Sequence, residues 1–289
     1  MQLGMIGLGR MGGNMAKRLR QGGHEVIGYA HDPQLTEVAS LAELVEKLTP
    51  PRHVWLMIPS GDPTEGTIGE LRGLLARGDL IADGGNSYFR DSLRRGGELE
   101  NDGLLFVDAG TSGGVWGLEA GYCLMVGGSE EAFARVEPAL KTLAPEGGYA
   151  HVGPVGAGHF TKMVHNGIEY AMLQAYAEGF ELLEASQYEL DLHQVAALWN
   201  RGSVVRSWLL ELAESAFEKD PKLAGLKGYV EDSGEGRWTV LEAINENVPA
   251  MTIAASLFAR FASRQSDSFA MKVIAALRNE FGGHAVQKE

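Results

Sequence analysis

The first half of the chain alternates short apolar runs with amphipathic stretches, and this order limits the fold more than any other feature. The apolar runs predict strands over residues 3–6, 25–29, 53–58, 80–82, 105–108 and 122–126. Helical patterns lie between or after them, over 11–20, 41–48, 64–76, 87–101 and 130–143. Because alternating strands and helices join as βαβ units, we predict a doubly wound, mostly parallel sheet.

A glycine-rich turn follows the first predicted strand. Residues 7–12 read GLGRMG, a G-x-G-x-x-G placed between a strand and a helix. Glycines at this spacing allow a tight turn and let the backbone approach a pyrophosphate, which rests on the helix N-terminus. The pattern in this context predicts a Rossmann-like dinucleotide-binding domain. Its cofactor-binding residues would include Gly7, Leu8, Gly9, Arg10, Met11 and Gly12.

The residues after the second predicted strand bear on the choice of coenzyme. An acid there binds the ribose 2′-hydroxyl of NAD, whereas an arginine accommodates the 2′-phosphate of NADP. The chain has Ala30, His31 and Asp32 at this point. Asp32 favours NAD, while His31 and Arg10 favour NADP. We therefore expect NAD or NADP as cofactor, with a slight preference for NAD.

After about residue 158 the strand pattern fades and helical patterns continue to the end of the chain. They cover 159–185, 192–200, 204–217, 240–247, 250–263 and 269–279, with an irregular, acidic and glycine-rich segment at 229–238. We predict two domains. Residues 1–158 would bind the dinucleotide, and the helical residues 159–289 would bind substrate and form the oligomer.

The first of these helices carries a polar stripe. At helical spacing, one face holds five polar side chains: Lys162, His165, Asn166, Glu169 and Tyr170. The other side carries residues expected to be buried: Val164, Ile168, Ala171 and Met172. A base, an acid and three hydrogen-bonding groups suit proton transfer on a polar small molecule. A solvated helix face is the alternative interpretation, and the stripe alone does not decide between them.

Composition excludes several classes of function. The formal net charge is −13, which argues against nucleic acid or an anionic membrane as the main partner. The single cysteine, Cys123, cannot form an internal disulfide, and its apolar surroundings predict a buried thiol in a reducing compartment. No apolar run approaches the ~20 residues of a membrane span, and glycines interrupt the apolar N-terminus. We expect a cytoplasmic protein without a signal peptide, and no motif predicts a metal site.

Several segments together resemble the decarboxylating 6-phosphogluconate dehydrogenases, within the β-hydroxyacid dehydrogenases. They are GLGRMGGN (7–14), IADGGNSYFRDS (81–92), SGG (112–114), GHFTKMVHNGIEY (158–170), DSGEGRWT (232–239), FAR (258–260) and RNEFGGH (278–284). The resemblance spans nearly the whole chain. It implies oxidation of 6-phosphogluconate to ribulose 5-phosphate and CO2 with reduction of NAD(P), as in the pentose phosphate pathway and gluconate utilisation.

The resemblance also implies roles for individual residues. Lys162 would be the general base and Glu169 the acid that protonates the enediol. Substrate-positioning residues would be His165, Asn166, Asn86, Ser112, Gly113 and Gly114, with Asn86 also next to the cofactor. Phosphate-binding residues would be Tyr170, Arg260 and Arg278, with His284 beside them.

The chain departs from the longer family members in two ways. Its loop around Ser233 lacks the lysine that precedes Gly-x-Gly-[Lys/Arg]-Trp, so Arg237 is a candidate replacement. It also has one helical array instead of two, which makes it similar to the short form. Faces bearing Trp208, Leu209 and Phe217 would then need another subunit. We expect a dimer or tetramer with a shared active site, into which the tail of a neighbour reaches.

Two alternative functions remain open from the sequence. One is a related β-hydroxyacid dehydrogenase that acts on an unphosphorylated substrate such as 3-hydroxyisobutyrate. The other is a non-enzymatic dinucleotide-binding sensor, which would be expected to lose Lys162 or Glu169, and both are present.

Overall fold

The computed structural model describes residues 1–287. The chain forms two compact units, Met1–Asn166 and Gly167–Glu289. The division falls within a long helix, α7 (Ala157–Glu184). The sequence-based boundary at residue 158 lies near the beginning of the same helix.

The first unit is built on a seven-stranded sheet. Its strands are β1 (Gln2–Ile6), β2 (Glu25–Tyr29), β3 (His53–Leu56), β4 (Leu80–Asp83), β5 (Leu105–Ser112), β6 (Cys123–Gly128) and β7 (Tyr149–Gly153). Their order is β2-β1-β3-β4-β5-β6-β7. The β5–β6 pair is antiparallel and the other pairs are parallel. The predicted doubly wound, mostly parallel sheet is confirmed. Strand β7 was not predicted, because it is an edge strand with no fully buried side chain and its sequence therefore has little apolar pattern.

Helices cover both faces of this sheet. They are α1 (Arg10–Gln21), α2 (Leu41–Lys47), α3 (Asp62–Leu74), α4 (Phe89–Asn101), α5 (Gly117–Ala120) and α6 (Glu130–Leu143), with a 3-10 turn at Gly114–Trp116. Successive strand residues point to opposite faces. Leu3 and Met5 accordingly join one core with α1 and α6, whereas Ile6 joins another with α2, α3 and α4.

The first turn of α7 is fixed by a buried carboxylate. Asp108 on β5 is fully buried, and its two oxygens accept hydrogen bonds from the backbone N–H groups of Gly156 (2.7 Å) and His159 (2.8 Å). A negative charge at a helix N-terminus also interacts favourably with the helix dipole. A Cβ on Gly158 would lie 2.3 Å from the carbonyl oxygen of Asp108, so only glycine fits between α7 and the sheet.

The second unit is helical, as predicted. It contains the rest of α7 together with α8 (Leu192–Trp199), α9 (Trp208–Lys219), α10 (Glu235–Asn245), α11 (Met251–Ser263) and α12 (Phe269–Gly282). A core forms from Phe180, Leu192, Ala196, Leu210 and Phe217. The prediction that Phe217 lies on an uncovered face is therefore wrong, because this side chain is only 6% exposed. Trp208, in contrast, is 47% exposed.

Two helices begin a full turn or more away from their predicted first residues. Helix α9 begins at Trp208, not at 204, because the Ser207 side chain caps it by accepting from the N–H of Leu210. Helix α10 begins at Glu235, so the last residues of the segment predicted to be irregular are helical.

The sequence also misplaced two sets of apolar side chains. Cys123 is exposed, because it is the first residue of β6, ahead of the buried run that starts at Leu124. On α7 the expected burial is reversed. Ile168 is 51% and Met172 37% exposed, whereas Lys162 and Asn166 of the polar stripe are buried. No described helix is both long enough and apolar enough to cross a lipid bilayer.

The packing of α7 on the sheet predicts the effect of one added methyl group. Gly158→Ala would force backbone atoms apart, and we expect it to lower the free energy of unfolding by about 3 kcal/mol. Gly66→Ala on α3 is the matched control, because no described neighbour lies within 4 Å of its added Cβ. This control should be neutral or stabilise by about 0.5–1 kcal/mol. Urea unfolding of both variants measures the difference, and equal stabilities would contradict the close approach.

Candidate active site

The glycine loop after β1 has the geometry that a pyrophosphate needs. Gly7 has a φ of +92°, and a Cβ there would lie 2.4 Å from the carbonyl oxygen of Met57. A Cβ on Gly12 would lie 1.9 Å from the carbonyl oxygen of Gly7. At Gly9, in contrast, no described neighbouring atom lies within 4 Å of an added Cβ. Gly7 and Gly12 thus allow the backbone of the loop to pack closely, and Gly9 leaves open space in front of α1.

The N-terminus of α1 suits an anion. Gly9 precedes the helix, and among the described residues no side chain caps it and no acid stands in its first turn. The N–H groups of a helix's first turn lack partners within the helix and carry partial positive charge. Arg10, the first helical residue, is exposed. Leu8 and Met11 pack against the core beside the loop. These residues therefore fit the pyrophosphate of a dinucleotide.

The turn after β2 holds an acid in a defined place. The Asp32 carboxylate accepts a hydrogen bond from the backbone N–H of Gln34 (2.9 Å), which fixes an Asx turn. His31 makes an edge contact with the ring of Tyr29, with centroids 5.9 Å apart. Both Asp32 and His31 are exposed. The Asp32 carboxylate and the His31 imidazole thus lie together at the position where such folds recognise the ribose 2′-substituent.

The loop after β4 is held by a buried ionic network. Asp83 is fully buried and accepts from the N–H of Gly85 (3.1 Å) and the hydroxyl of Ser87 (2.6 Å). The guanidinium of Arg95, also buried, lies 3.6 Å from Asp83 and donates to Glu65 at 2.9 Å. These contacts fix the backbone on both sides of Asn86. The Asn86 side chain itself is exposed.

Three residues of the polar stripe form a connected cluster in the first unit. The Asn166 side-chain oxygen accepts from the Lys162 ammonium (2.7 Å) and from Nδ1 of His165 (2.9 Å). An amide oxygen can only accept, so Nδ1 of His165 carries the proton. In the neutral ring, Nε2 is then an acceptor, and the hydroxyl of Ser112 lies 3.3 Å from it. Asn166 thus orients both the ammonium group and the imidazole.

The position of Lys162 depends on a glycine of β5. A Cβ on Gly110 would lie 2.4 Å from the Cβ of Lys162, so α7 lies directly against the strand here. Lys162 is only 6% exposed. Beyond Ser112, the chain turns through Gly113 and Gly114, which have φ values of +125° and +54°. Gly114 is exposed, and no described neighbour lies within 4 Å of an added Cβ.

The remaining stripe residues belong to the second unit. Glu169 is half-buried and Tyr170 is 4% exposed. The Arg260 guanidinium lies over the Tyr170 ring, 3.4 Å from its centroid. The Tyr170 hydroxyl accepts from the backbone N–H of Ser233 (3.1 Å). Tyr170 and Arg260, which the resemblance assigned to one phosphate, are therefore in contact.

Arg278 and His284 lie elsewhere in the described structure. Arg278 is on α12, all of whose side chains are exposed. His284 follows the helix, is also exposed, and contacts the ring of Phe281, with centroids 6.3 Å apart. Arg237 is also engaged, since its guanidinium binds the Asp232 carboxylate in a two-point contact of 2.7 and 3.1 Å.

The buried charges that hold these groups in place, Asp83, Asp108 and Arg95, were not predicted. Asp108 accepts from backbone N–H groups 48 and 51 residues away, and Arg95 donates to Glu65, 30 residues away, so no local pattern identifies these pairs. Arg264 was also missed, although it is the C-cap residue of α11 and lies one helical turn after Arg260, on the same face.

Comparison with known proteins agrees with this geometry. The sequence profile described as the NAD binding domain of 6-phosphogluconate dehydrogenase matches residues 2–153. The profile of that enzyme's C-terminal domain matches residues 158–284. The NAD(+)-dependent, decarboxylating 6-phosphogluconate dehydrogenase of Haloferax volcanii is 44% identical over all of this chain and 99% of its own. Bacillus subtilis YqeC, provisionally named as a 6-phosphogluconate dehydrogenase, is 45% identical over the full length of both chains.

A solved structure extends the similarity to three dimensions. The 6-phosphogluconate dehydrogenase of Plasmodium falciparum, studied with NADP+ and with 6-phosphogluconate, superposes with a TM-score of 0.84 at 27% identity. The match covers all of this chain but only 66% of the Plasmodium chain. With both domain profiles matched in order and full-length relatives at 44% and 45% identity, the chain belongs to the 6-phosphogluconate dehydrogenase family.

Proposed function

We propose that this protein oxidises and decarboxylates 6-phosphogluconate to ribulose 5-phosphate and CO2, using NAD or NADP. The observation that carries the proposal is the cluster of the buried Lys162 and Asn166 with the half-buried His165, next to Ser112 in the unit that bears the dinucleotide loop. A buried lysine held by a neutral hydrogen-bond acceptor is suited to exchange a proton with a substrate hydroxyl. A dinucleotide sensor would have no need of such a group.

The residues of the chain divide the chemistry between them. When bound, the nicotinamide accepts the hydride from C3 of the substrate. Lys162 takes the proton of the C3 hydroxyl, and its ammonium group then donates a hydrogen bond to the resulting ketone. That carbonyl is β to the carboxylate, so it receives the electron pair released when CO2 leaves. Glu169 then protonates C1 of the enediol, which gives ribulose 5-phosphate.

Other residues hold the substrate in place. Asn86, Ser112, Gly113, Gly114, His165 and Asn166 contact the sugar acid in this proposal. Tyr170 and Arg260 bind its phosphate, because a guanidinium and a phenol hydroxyl are both hydrogen-bond donors to phosphate oxygens. This phosphate requirement separates the proposal from a dehydrogenase acting on 3-hydroxyisobutyrate. We place the enzyme in the cytoplasm, as its single cysteine suggests.

An assay with one pair of variants tests the reaction. The purified protein should reduce NAD or NADP with 6-phosphogluconate and release CO2 without added metal. Lys162→Met should lower kcat by about 10²–10⁴-fold while the substrate still binds. Lys141→Met removes an exposed lysine of the first unit and should change nothing. Turnover only with unphosphorylated hydroxyacids would refute the substrate, and a near-normal kcat in Lys162→Met would refute the base.

The choice of coenzyme gives a second test. We propose that NAD is used at least as well as NADP, because the fixed carboxylate of Asp32 repels a 2′-phosphate. Asp32→Ala should lower the ratio of kcat/KM for NAD to that for NADP by about 10-fold, the equivalent of one charged hydrogen bond. Glu70→Ala, which removes an exposed carboxylate of α3, is the control. A wild-type ratio that strongly favours NADP contradicts this assignment.

We also propose a homo-oligomer whose active sites are shared between subunits. On α12, apolar side chains four residues apart form an exposed stripe of Phe269, Val273, Leu277 and Phe281. The second unit also has an open groove of about 620 Å³, lined by residues such as Met172, Tyr176, Trp199 and Val205. Large uncovered apolar surfaces on a chain of this kind mark interfaces. A second copy of the chain supplies both an apolar helix and an apolar groove, so we assign it as the partner.

Complementation between inactive chains tests the shared site. Arg278 and His284 stand at the end of the uncovered helix, and in this proposal they reach the substrate phosphate of a neighbouring subunit. Lys162→Met and Arg278→Ala chains should each be inactive alone and regain part of the activity when co-assembled. A chain that ends at Leu277 should keep coenzyme binding and lose substrate affinity. No recovery in verified mixed oligomers, or full activity in a monomer, would contradict the sharing.

A further inference from the structure

A buried carboxylate in the second unit has no role in the proposed chemistry. Asp232 lies in the segment before α10, and its side chain is 4% exposed. Two guanidinium groups converge on it: Arg237 at 2.7 and 3.1 Å, and Arg264 at 3.1 Å. The hydrogen bond from Arg237 is the largest cause that holds the pKa of Asp232 below its usual range. The carboxylate is therefore charged under all ordinary conditions.

This ion pair ties two elements together. Arg237 is on α10 and Arg264 is the residue that ends α11, so Asp232 bridges both helices. Both arginines also lie over the ring of Phe261, at 4.4 and 5.1 Å from its centroid. A further tether joins the backbone N–H of Val230 to the hydroxyl of Ser263 (3.0 Å). The segment is thus fastened to the end of α11 at Val230 as well as at Asp232.

The residues next to this clamp are those that meet at Tyr170. Arg260, one turn before Arg264, donates to the carbonyl oxygen of Glu231 at 2.9 Å and stacks on the Tyr170 ring. Ser233, the next residue after Asp232, donates its N–H to the Tyr170 hydroxyl. The Ser233 hydroxyl donates to the buried carboxylate of Glu235. Both neighbours of Asp232 therefore contact the pair Tyr170–Arg260.

We propose that Asp232 and Arg264 are positioning residues for phosphate recognition, which fix the segment before α10 so that Arg260 and Ser233 stay in register with Tyr170. The inference rests on the proposed function, which makes Tyr170 and Arg260 phosphate ligands. Asp232 is the first residue of the segment DSGEGRWT (232–239) and Arg264 follows α11, and the resemblance assigns a role to neither of them.

The direction in which the KM for 6-phosphogluconate changes distinguishes a positioning role of Asp232 from simple neutralisation of the two arginines. If Asp232 only neutralised Arg237 and Arg264, its removal would free two cations and strengthen phosphate binding. If it positions the segment, Asp232→Asn keeps the shape of the side chain, weakens the charged hydrogen bonds to both arginines and lets Arg260 and Ser233 move away from Tyr170. We expect the KM for 6-phosphogluconate to rise by about 10-fold or more, because small misplacements of binding groups are costly. The inhibition constant of inorganic phosphate should rise by a similar factor.

Two kinetic constants that do not depend on phosphate binding serve as internal references for Asp232→Asn. The KM for the coenzyme and kcat should stay within about 2-fold of wild type, since Asp232→Asn leaves the Lys162 cluster intact. Arg264→Gln should raise the KM in the same direction by less, and Arg264→Lys should restore part of the loss. Glu184→Gln is the matched control, because it removes the exposed ion pair with Lys222 (2.7 Å) from the same unit.

Two further measurements keep the outcomes distinct. Circular dichroism checks that each variant folds, and if Asp232→Asn does not fold, the variants of its partner Arg264, whose side chain is 24% exposed, provide the test. Calorimetric titration of the resting protein with inorganic phosphate reads the site without turnover. An unchanged or lower substrate KM and phosphate constant in the variants would overturn the positioning role. A wild-type protein that binds phosphate but does not oxidise 6-phosphogluconate would instead refute the proposed function.

Discussion

The contact between the start of α7 and the sheet is the constraint on which the candidate site depends. The Asp108 carboxylate binds the first N–H groups of the helix, and Gly158 and Gly110 bring helix and strand within backbone contact. Lys162 lies about one helical turn after His159, so the carboxylate that fixes the start of the helix also fixes the position of the lysine. A buried charge that lost its N–H partners would cost several kcal/mol, which makes the arrangement strongly determined.

The contacts of α7 explain why its burial is the reverse of the usual pattern, with polar side chains buried and apolar side chains exposed. Its polar stripe faces the interior because Lys162 and Asn166 satisfy each other there, and because Gly110 leaves room for the lysine. Its apolar side, with Ile168 and Met172, is exposed in the single chain. A helix normally buries its apolar side, so this surface has a cost in water that a second subunit would remove. In our proposal, catalysis and assembly therefore use opposite sides of one helix.

The sequence predicted the parts of the fold that depend on local patterns. The βαβ alternation and the GLGRMG turn were sufficient for the sheet, and α6 was placed at its observed bounds, because its capping Ser129 and apolar period agree. Strand β7 was lost because an edge strand buries little. Cys123 and Phe217 were assigned to the wrong environment, because composition does not tell which strand end is covered or which helices meet.

For the site, the sequence identified the residue types that meet a substrate in the proposal but not those that orient them. Resemblance singled out Lys162, Tyr170 and Arg260, each within a contiguous motif. The supporting carboxylates of Asp83, Asp108 and Asp232 accept hydrogen bonds from groups that the fold brings near. The largest separation in sequence is 51 residues, for the hydrogen bond that the His159 N–H donates to Asp108. Such pairs leave no periodic trace. They form only when the fold brings the partners together.

A chain with a net charge of −13 can still bind an anionic sugar phosphate, because charge acts over short distances. At physiological ionic strength, exposed charges more than about 8 Å apart are largely screened. In our proposal Arg260 binds the phosphate, while Arg237 and Arg264 are held by the carboxylate of Asp232 in the neighbouring segment. Each guanidinium there has a carboxylate, carbonyl or aromatic partner, so it is oriented before any ligand arrives. Preorganised donors lose little entropy on binding, which allows a globally acidic protein to recognise a phosphate through a few fixed arginines.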